Sequence, residues 1–393
     1  MRNILIYRNE LLHPSETFIV AQAGAMEDHA PAFAGWEKPQ KSLDLTADSV
    51  LTFASGDTLM DKLRRKTYWT FGGTADFAQS LAERQPVLTH VHFALDACTF
   101  LPIAQRLSIP LFVTLHGYDV TTENDTLRKS FLGRVYLARK EQLWKTAKCF
   151  FCVSEFIRQK AIERGYPREK LLTHYIGVDL KAFTPDNSIR REPIVLFVGR
   201  FVEKKGCIYL LRAMMHIEAK FPSARLVLIG DGPLRAELQA SASRLLKRCD
   251  FLGVQSPQSI KQWLNRSRVF CVPSIIAKGG DAEGLGIVFC EAQAMGVPVV
   301  SFATGGISEA VIHGEGGLLA PEKDEETLAE YIALFLANEE QWSRASKAGR
   351  KWVERTFDLN RQTRMLEKHY GRYCRSDWSE SAAEPSLNTF QNV

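Results

Sequence analysis

Apolar and polar positions along the chain fall into short strand-like runs separated by amphipathic segments, and the two kinds alternate through most of its length. Residues 2–7, Arg-Asn-Ile-Leu-Ile-Tyr, read as a buried first strand, and a polar loop from Arg8 to Phe18 leads into a helix with Ser15 as its N-cap candidate. Residues 87–93 predict a strand, 96–107 a helix, and 110–115 a strand that ends in His116-Gly117-Tyr118-Asp119. A long helix over 126–148, a strand over 149–154, a helix over 155–164 and a strand over 171–176 complete this half. Such alternation implies a parallel sheet.

The segment 181–192 is polar, carries Pro185, Asp186, Asn187 and Ser188, and reads as an interdomain linker. The alternation then restarts: strand 193–198, loop 199–205, helix 206–218, strand 224–229, helix 233–246, and short strands at 250–253 and 269–272 around a helix near 258–264. Residues 279–302 read as loop, helix and strand, the helix running from Ile287 to Met295 until Gly296 and Pro298 stop it. Amphipathic helices follow at 327–336 and 341–353, and a final helix over 360–375 is expected to return to the first domain. The expectation is therefore an α/β protein of two domains, 1–185 and 186–357, with the helix at 358–375 packed back on the first and a polar tail at 376–393.

Composition narrows the partners. With 393 residues, 45% hydrophobic and 24% charged, the chain is an ordinary soluble protein able to bury large cores, and a net charge of +5 without a basic motif gives no case for nucleic acid. No apolar run reaches the ~18 residues of a membrane span, and the first residues lack the apolar core of a leader, so a cytoplasmic placement is expected. The eight cysteines are scattered, mostly in apolar runs, where a reduced thiol acts as a small hydrophobe. Cys149 and Cys152 have C-x-x-C spacing, but three residues apart in a strand they face opposite sides, which favours a structural role. The helix at 126–148 sets Arg128, Lys129, Arg134, Arg139, Lys140 and Lys145 among Phe131, Leu132, Tyr136 and Trp144. That mixture suits either a solvated surface helix or one resting on an anionic membrane.

Candidate chemistry collects at the ends of predicted strands. Gly284 and Gly286 let the backbone approach a ligand, and the helix they open begins beside Glu283, so its free N–H groups suit phosphate. Glu291, about one and a half turns further on, has the acceptors to hold a vicinal diol such as a ribose. Phosphate with ribose beyond it describes a nucleotide. Arg200 and Lys205, in the loop after strand 193–198, offer two cations to a diphosphate leaving group; a solvated surface loop is the other reading. His116 sits where open α/β sheets bind ligands, at the carboxyl end of a strand, although a lone histidine is more often structural. Gly230-Asp231-Gly232 lacks the third glycine of a dinucleotide fingerprint, and no G-x-x-x-x-G-K-[ST] loop occurs. No Asp-x-Asp pair is present to hold a divalent metal on a diphosphate, so no cofactor and no metal are expected.

These segments together resemble the retaining family 4 glycosyltransferases of GT-B fold. The resemblance rests, in order, on Leu115-His116-Gly117, Ile176-Gly177-Val178-Asp179, Phe197-Val198-Gly199-Arg200 with Glu203-Lys204-Lys205-Gly206, and Ile229-Gly230-Asp231-Gly232-Pro233-Leu234. Phe251-Leu252-Gly253, Val272-Pro273-Ser274, Glu283-Gly284-Leu285-Gly286 through Glu291-Ala292, and Gly305-Gly306-Ile307-Ser308-Glu309 complete it, Glu283 and Glu291 fitting the family's Glu-x7-Glu signature. It implies two Rossmann-like domains facing each other across a cleft, the second holding a nucleotide-sugar donor and the first an acceptor. It also implies Arg200 and Lys205 on the diphosphate, Glu291 on the ribose, Glu283 with the backbone of Gly284, Leu285 and Gly286 on the sugar and distal phosphate, the backbone near Gly253 and Val254 on the base, and His116 near the sugar's C6 hydroxyl. Retention by front-face attack follows from the same resemblance, the diphosphate itself taking the acceptor's proton.

One departure is visible. Many members carry a glycine pair after the first strand, whereas here the loop runs Asn9 to Phe18, and its Ser15-Glu16-Thr17-Phe18 resembles bacterial exopolysaccharide transferases of colanic-acid type. This points to Ser15, Glu16 and Asp119 as acceptor contacts, with helix capping as the alternative for Ser15 and Glu16. It also points to a saccharide or lipid-linked saccharide acceptor at the inner membrane, and to UDP-glucose or UDP-galactose as favoured donors. A UDP-sugar 2-epimerase of the same fold and a non-catalytic nucleotide-sugar-binding protein are the competing readings.

Overall fold

The computed structural model describes residues 1–39, 42, 43, 45, 50–53, 58–71 and 75–374. Two parallel sheets organise it. The first contains β1 (Arg2–Glu10), β2 (His29–Glu37), β3 (Val50–Thr52), β4 (Leu88–His92), β5 (Leu111–Leu115), β6 (Cys149–Cys152) and β7 (Leu171–Thr173), in the order β3-β2-β1-β4-β5-β6-β7. The second contains β8 (Glu192–Val198), β9 (Arg225–Ile229), β10 (Cys249–Gly253), β11 (Ser267–Cys271), β12 (Val299–Phe302) and β13 (Gly317–Ala320), in the order β10-β9-β8-β11-β12-β13.

Each strand order reverses once, between β1 and β4 and between β8 and β11. At such a point neighbouring crossovers leave the sheet on opposite faces, and a crevice opens beyond the carboxyl ends of the strands. Arg8 and Asn9 stand at the first crevice; the loop Gly199–Gly206 and Ser274 stand at the second.

The apolar runs are buried on both faces, as parallel strands covered by helices require. Leu5 and Tyr7 enter one core cluster while Ile4 and Ile6 enter another on the opposite face. Cys152 and Cys149 divide in the same way, both thiols buried, so the C-x-x-C pair is not a redox couple. Side chains buried this completely contribute on the order of 2 kcal/mol each.

The closing helix Leu359–Cys374 lies on the first sheet, with Leu366 and Tyr370 in its second core cluster. Its Glu367 carboxylate accepts hydrogen bonds from the N–H groups of Glu27, Asp28 and His29 at 3.1, 2.9 and 3.0 Å. The polar tail expected at 376–393 lies outside the described residues.

The structure departs from expectation in several elements. The helix expected over 126–148 is broken into Asn124–Arg128 and Phe131–Thr146, because the Ser130 hydroxyl accepts from Gly133 N–H at 2.9 Å and starts a new helix. Strands β2, β3 and β13 and the helices Leu59–Phe71 and Ala75–Ala82 have no counterpart in the sequence reading. No helix among the described residues is long and apolar enough to cross a membrane.

Candidate functional site

On the second domain, the loop leaving β8 folds back on the loop leaving β11. Gly206 takes a left-handed φ of +59°, and a Cβ there would lie 1.9 Å from the Pro273 carbonyl oxygen, so only glycine permits this approach. Ile275 N–H donates to the Lys204 carbonyl at 2.8 Å. This fixes two adjacent lysines over the turn that precedes the helix Ile287–Ala294. Lys205 Nζ donates to the Glu283 carboxylate, and Lys204 Nζ pairs with Asp281 at 3.0 Å. Burial by itself pushes the Glu283 carboxyl up, but the ammonium groups of Lys205 and Lys204 outweigh it and hold the carboxyl below its ordinary value. Arg200, at the mouth of the same loop, is exposed, and its guanidinium makes no hydrogen bond or ion pair among the described residues.

Gly286, with φ +79°, caps the helix Ile287–Ala294, whose first N–H groups, those of Ile287 and Val288, have no acceptor among the described residues. Lysine ammoniums, an exposed guanidinium and a positive helix end thus bound one space suited to a polyanion. Glu291 is partly buried, its carboxylate has no hydrogen-bond partner among the described residues, and burial pushes its carboxyl up to about 7. At the end of β10 the Gly253 carbonyl accepts from Gly230 N–H at 2.9 Å, and the Val254 side chain beyond it is 62% exposed.

On the first domain, His116 follows β5. The Asp119 carboxylate accepts from the N–H groups of His116, Gly117 and Ala94 at 3.2, 3.0 and 2.9 Å and is itself buried. Asp119 is therefore not an acceptor contact: its oxygens are engaged by backbone, and it holds the His116 turn in place. His116 Nε2 and His92 Nδ1 are 2.9 Å apart, and the rings of Phe93 and Phe18 lie 4.5 and 5.2 Å from the His116 ring. Burial, then the nearby Arg8 guanidinium, then His90 depress the His116 imidazole well below its ordinary value, so it is neutral.

The loop after β1 also differs from expectation. Ser15 is exposed in a turn, and the helix Thr17–Gly24 starts after Glu16 without a side-chain cap. Glu16 is buried: its carboxylate accepts from Arg8 at 2.6 Å and from His13 N–H at 3.1 Å. Arg8 also pairs with Asp96 and stacks over Phe93, its guanidinium carbon 4.3 Å from the ring centroid. Arg8, His92, Phe93 and Asp96 were not singled out from the sequence; His90-x-His92 on one strand face was the available signal for the histidines.

The two halves meet through these same loops. Ser154 Oγ donates to the Gly284 carbonyl at 2.6 Å, Ala282 N–H donates to Thr121 Oγ1 at 3.2 Å, and Glu123 N–H donates to the Gly279 carbonyl at 2.8 Å. The Glu309 carboxylate accepts from the N–H groups of Glu155 and Phe156 at 2.7 and 2.9 Å, at the start of the helix Glu155–Glu163, and from the Tyr175 hydroxyl at 3.0 Å. A cation-lined space on one parallel sheet is thereby closed against a histidine on another.

Two facing Rossmann-like domains with such a cleft define the GT-B fold. Anabaena HepE, solved in complex with UDP and glucose, superposes with a TM-score of 0.75 at 18% identity over 94% of this chain and 100% of that one. Residues 43–182 match the model of Glycosyltransferase Family 4, and residues 181–352 match that of Glycosyl transferases group 1. Together the two matches span residues 43–352, so the chain is similar to the family 4 glycosyltransferases over most of its length. It is 28% identical over 259 residues to the Escherichia coli K12 protein WcaL, named as a colanic acid biosynthesis glycosyltransferase, covering 64% of this chain and 62% of WcaL. It is 34% identical over 191 residues to the GDP-mannose-dependent monoacylated α-(1-6)-phosphatidylinositol monomannoside mannosyltransferase of Corynebacterium glutamicum, covering 45% of this chain and 50% of that one. The chain thus spans between half and two thirds of the length of these curated relatives.

Proposed function

We propose that this protein transfers a hexose from a nucleotide sugar, with UDP-glucose and UDP-galactose favoured, to a saccharide or lipid-linked saccharide of a cell-surface polysaccharide, retaining the anomeric configuration. The observation that carries the reading is the Lys205–Glu283 pair at the open end of the helix Ile287–Ala294, set against the His116 turn by the contact of Gly284 with the first domain. Lys205, Arg200 and the N–H groups of Ile287 and Val288 take the diphosphate and stabilise the charge that develops as it leaves. Glu291 accepts from the ribose, and the backbone at Gly253 and Val254 meets the base. Glu283 and the Gly284–Gly286 backbone hold the sugar hydroxyls. With His116 neutral and no carboxylate among the described residues placed as a nucleophile, the departing diphosphate receives the acceptor's proton on the face it leaves. The two named partners differ in base, UDP with HepE and GDP-mannose with the corynebacterial relative, so the preference for UDP rests on the exopolysaccharide resemblance.

The site's own cations carry the charge of the diphosphate, so turnover needs no metal. Release of nucleoside diphosphate from a panel of UDP-, GDP- and ADP-sugars, with and without EDTA, tests base and metal together. NMR of the product anomer tests retention. Release from no donor, with or without candidate acceptors, and no nucleotide binding would overturn the reading.

The first domain docks peripherally on an anionic bilayer. The helix Leu59–Phe71 packs beside Phe131–Thr146 and exposes Leu59, Met60 and Leu63 next to Lys62 and Arg64, while Arg134 and Lys145 are exposed on its neighbour. Apolar side chains among cations are the composition of an interfacial surface. Cosedimentation with phosphatidylglycerol vesicles, reduced in Leu59→Glu/Leu63→Glu and in Arg134→Glu/Lys145→Glu, checks this.

A further inference from the structure

Behind His116 runs a line of buried histidines. His90 and His92 stand two residues apart on one face of β4, their rings stacked 4.6 Å apart at 18°, and the His92 ring lies 5.2 Å from that of His116 at 27°. Both nitrogens of His90 are engaged: Nδ1 with the Tyr370 hydroxyl and Nε2 with Thr114 Oγ1 at 2.6 Å. His92 is engaged on one side only. Its Nδ1 meets His116 Nε2 at 2.9 Å, while its Nε2 is buried with no partner. The remaining nitrogen of His116, Nδ1, has no protein partner among the described residues.

A neutral pair has one proton in the shared hydrogen bond, and either ring can supply it. If His116 Nε2–H donates to His92 Nδ1, then neutral His92 carries its proton on Nε2, and that N–H is buried without an acceptor. Orphaned buried N–H groups are the rarest of unsatisfied polar groups, and each costs about 1–3 kcal/mol. If His92 Nδ1–H donates to His116 Nε2, the buried atom left unpartnered in this pair is a bare lone pair, and the N–H without a protein acceptor is that of His116 Nδ1, which is not sealed from solvent. His116 must then carry its proton on Nδ1. A cationic pair is disfavoured by the Arg8 guanidinium, which stacks on the Phe93 ring that touches His116. Burial also depresses both imidazoles well below their ordinary values.

We infer that His92 is a positioning residue that locks His116 in the Nδ1–H tautomer, so that His116 presents a neutral hydrogen-bond donor, not a base, to an oxygen of the bound sugar. The sugar part of this statement rests on the transferase reading; the tautomer part does not. The role of His92 is to fix both the proton and the ring angle of His116, as an outer partner fixes a ligating or catalytic imidazole. Asparagine at position 92 places an amide N–H near the Nδ1 position and leaves the lock in place, whereas leucine removes the donor and keeps the site apolar.

The test uses the full chain labelled with 15N-histidine, read by long-range 1H–15N correlation, with His116 assigned by its loss in His116→Gln. The expected spectrum shows a pyrrole-type Nδ1 and a pyridine-type Nε2 for His116. In His92→Leu the His116 pattern shifts toward the Nε2–H form, and kcat falls by about tenfold or more while KM for the donor stays within about twofold. In His92→Asn the tautomer and most of kcat return. A pyridine-type Nδ1 in the wild type overturns the inference, and so does a His92→Leu variant with unchanged tautomer and kcat. A chain without turnover that shows the Nδ1–H form, and loses it in His92→Leu, upholds the lock and counts against the transferase reading alone.

Discussion

Lys205 and Glu283 are 78 residues apart in sequence, and their ion pair ties the loop after β8 to the turn that opens the helix Ile287–Ala294. Their side chains are only 13% and 12% exposed, so neither charge is well served by water if the other is removed. A bound diphosphate offers Lys205 a second anion without displacing Glu283.

Lys205→Ala is expected to weaken UDP binding by about ten- to a hundredfold, the worth of one charge-assisted hydrogen bond. Glu283→Gln should leave UDP binding within about threefold and depress turnover, because its partner in the complex is the sugar. Each single alanine variant is destabilised by about 1–3 kcal/mol, and the double variant by less than the sum. Calorimetry on the variants and a thermal-unfolding double-mutant cycle check all three.

Gly284 lies where the two domains meet. A Cβ there would lie 2.0 Å from the His116 carbonyl oxygen and 3.3 Å from a Val153 methyl, so Gly284→Ala must push the His116 turn away from the donor loop. A displacement near 1 Å at the reacting centre costs turnover about a hundredfold. UDP binding, which uses the second domain, should change by less than about threefold. Equal losses in both measurements would show that Gly284 matters for the donor loop itself and not for closure.

Much of this site was legible in the sequence because its parts sit at strand ends that glycine marks. His116-Gly117, Gly199 to Gly206 and Glu283 to Gly286 each follow an apolar run, and a parallel sheet sends such loops to one edge. What could not be read was long-range. Glu16 immediately precedes the helix Thr17–Gly24, where a capping role is the local expectation, yet its carboxylate is turned to Arg8. Asp119, one turn past His116, looks like a ligand group until its three backbone donors are seen. Beyond the helix entered from the loop ending at Phe18, no element up to residue 86 was legible: β2 reads His-Ala-Pro-Ala-Phe-Ala-Gly-Trp-Glu, and its Pro, Gly and alanines carry little strand signal.

Glu309 works as a latch between the halves. It lies 154 residues from Glu155, and its carboxylate sits at the positive end of the helix Glu155–Glu163, taking two backbone N–H groups and the Tyr175 hydroxyl. Glu309→Gln keeps one acceptor oxygen and loses the charge, and Glu309→Ala loses both. The closed arrangement should lose about 1–3 kcal/mol in the alanine variant and less in the glutamine variant. Small-angle scattering should show a larger radius of gyration in that order, and KM for the donor should rise in parallel. Unchanged scattering with unchanged KM would remove the latch.

Glu291 gives the site a pH dependence whose sign is fixed. Burial raises its carboxyl from 4.5 to about 7, so between those values the folded chain holds a proton that the unfolded chain has released. Stability from this group is therefore fully present below about pH 4.5, falls as pH rises, and stops falling above about pH 7. Glu291→Gln removes the effect, so the variant should gain on the wild type by on the order of 1–2 kcal/mol between pH 5 and pH 8. Nucleotide affinity should run the other way. The ionised carboxylate is the better acceptor for two ribose hydroxyls, so wild-type affinity for UDP rises from pH 6 to pH 8, while the affinity of Glu291→Gln, and of the wild type for 2′-deoxy-UDP, stays flatter. Thermal unfolding and calorimetry across this range measure both slopes. Parallel slopes for the wild type and Glu291→Gln in either measurement would show that another group titrates there.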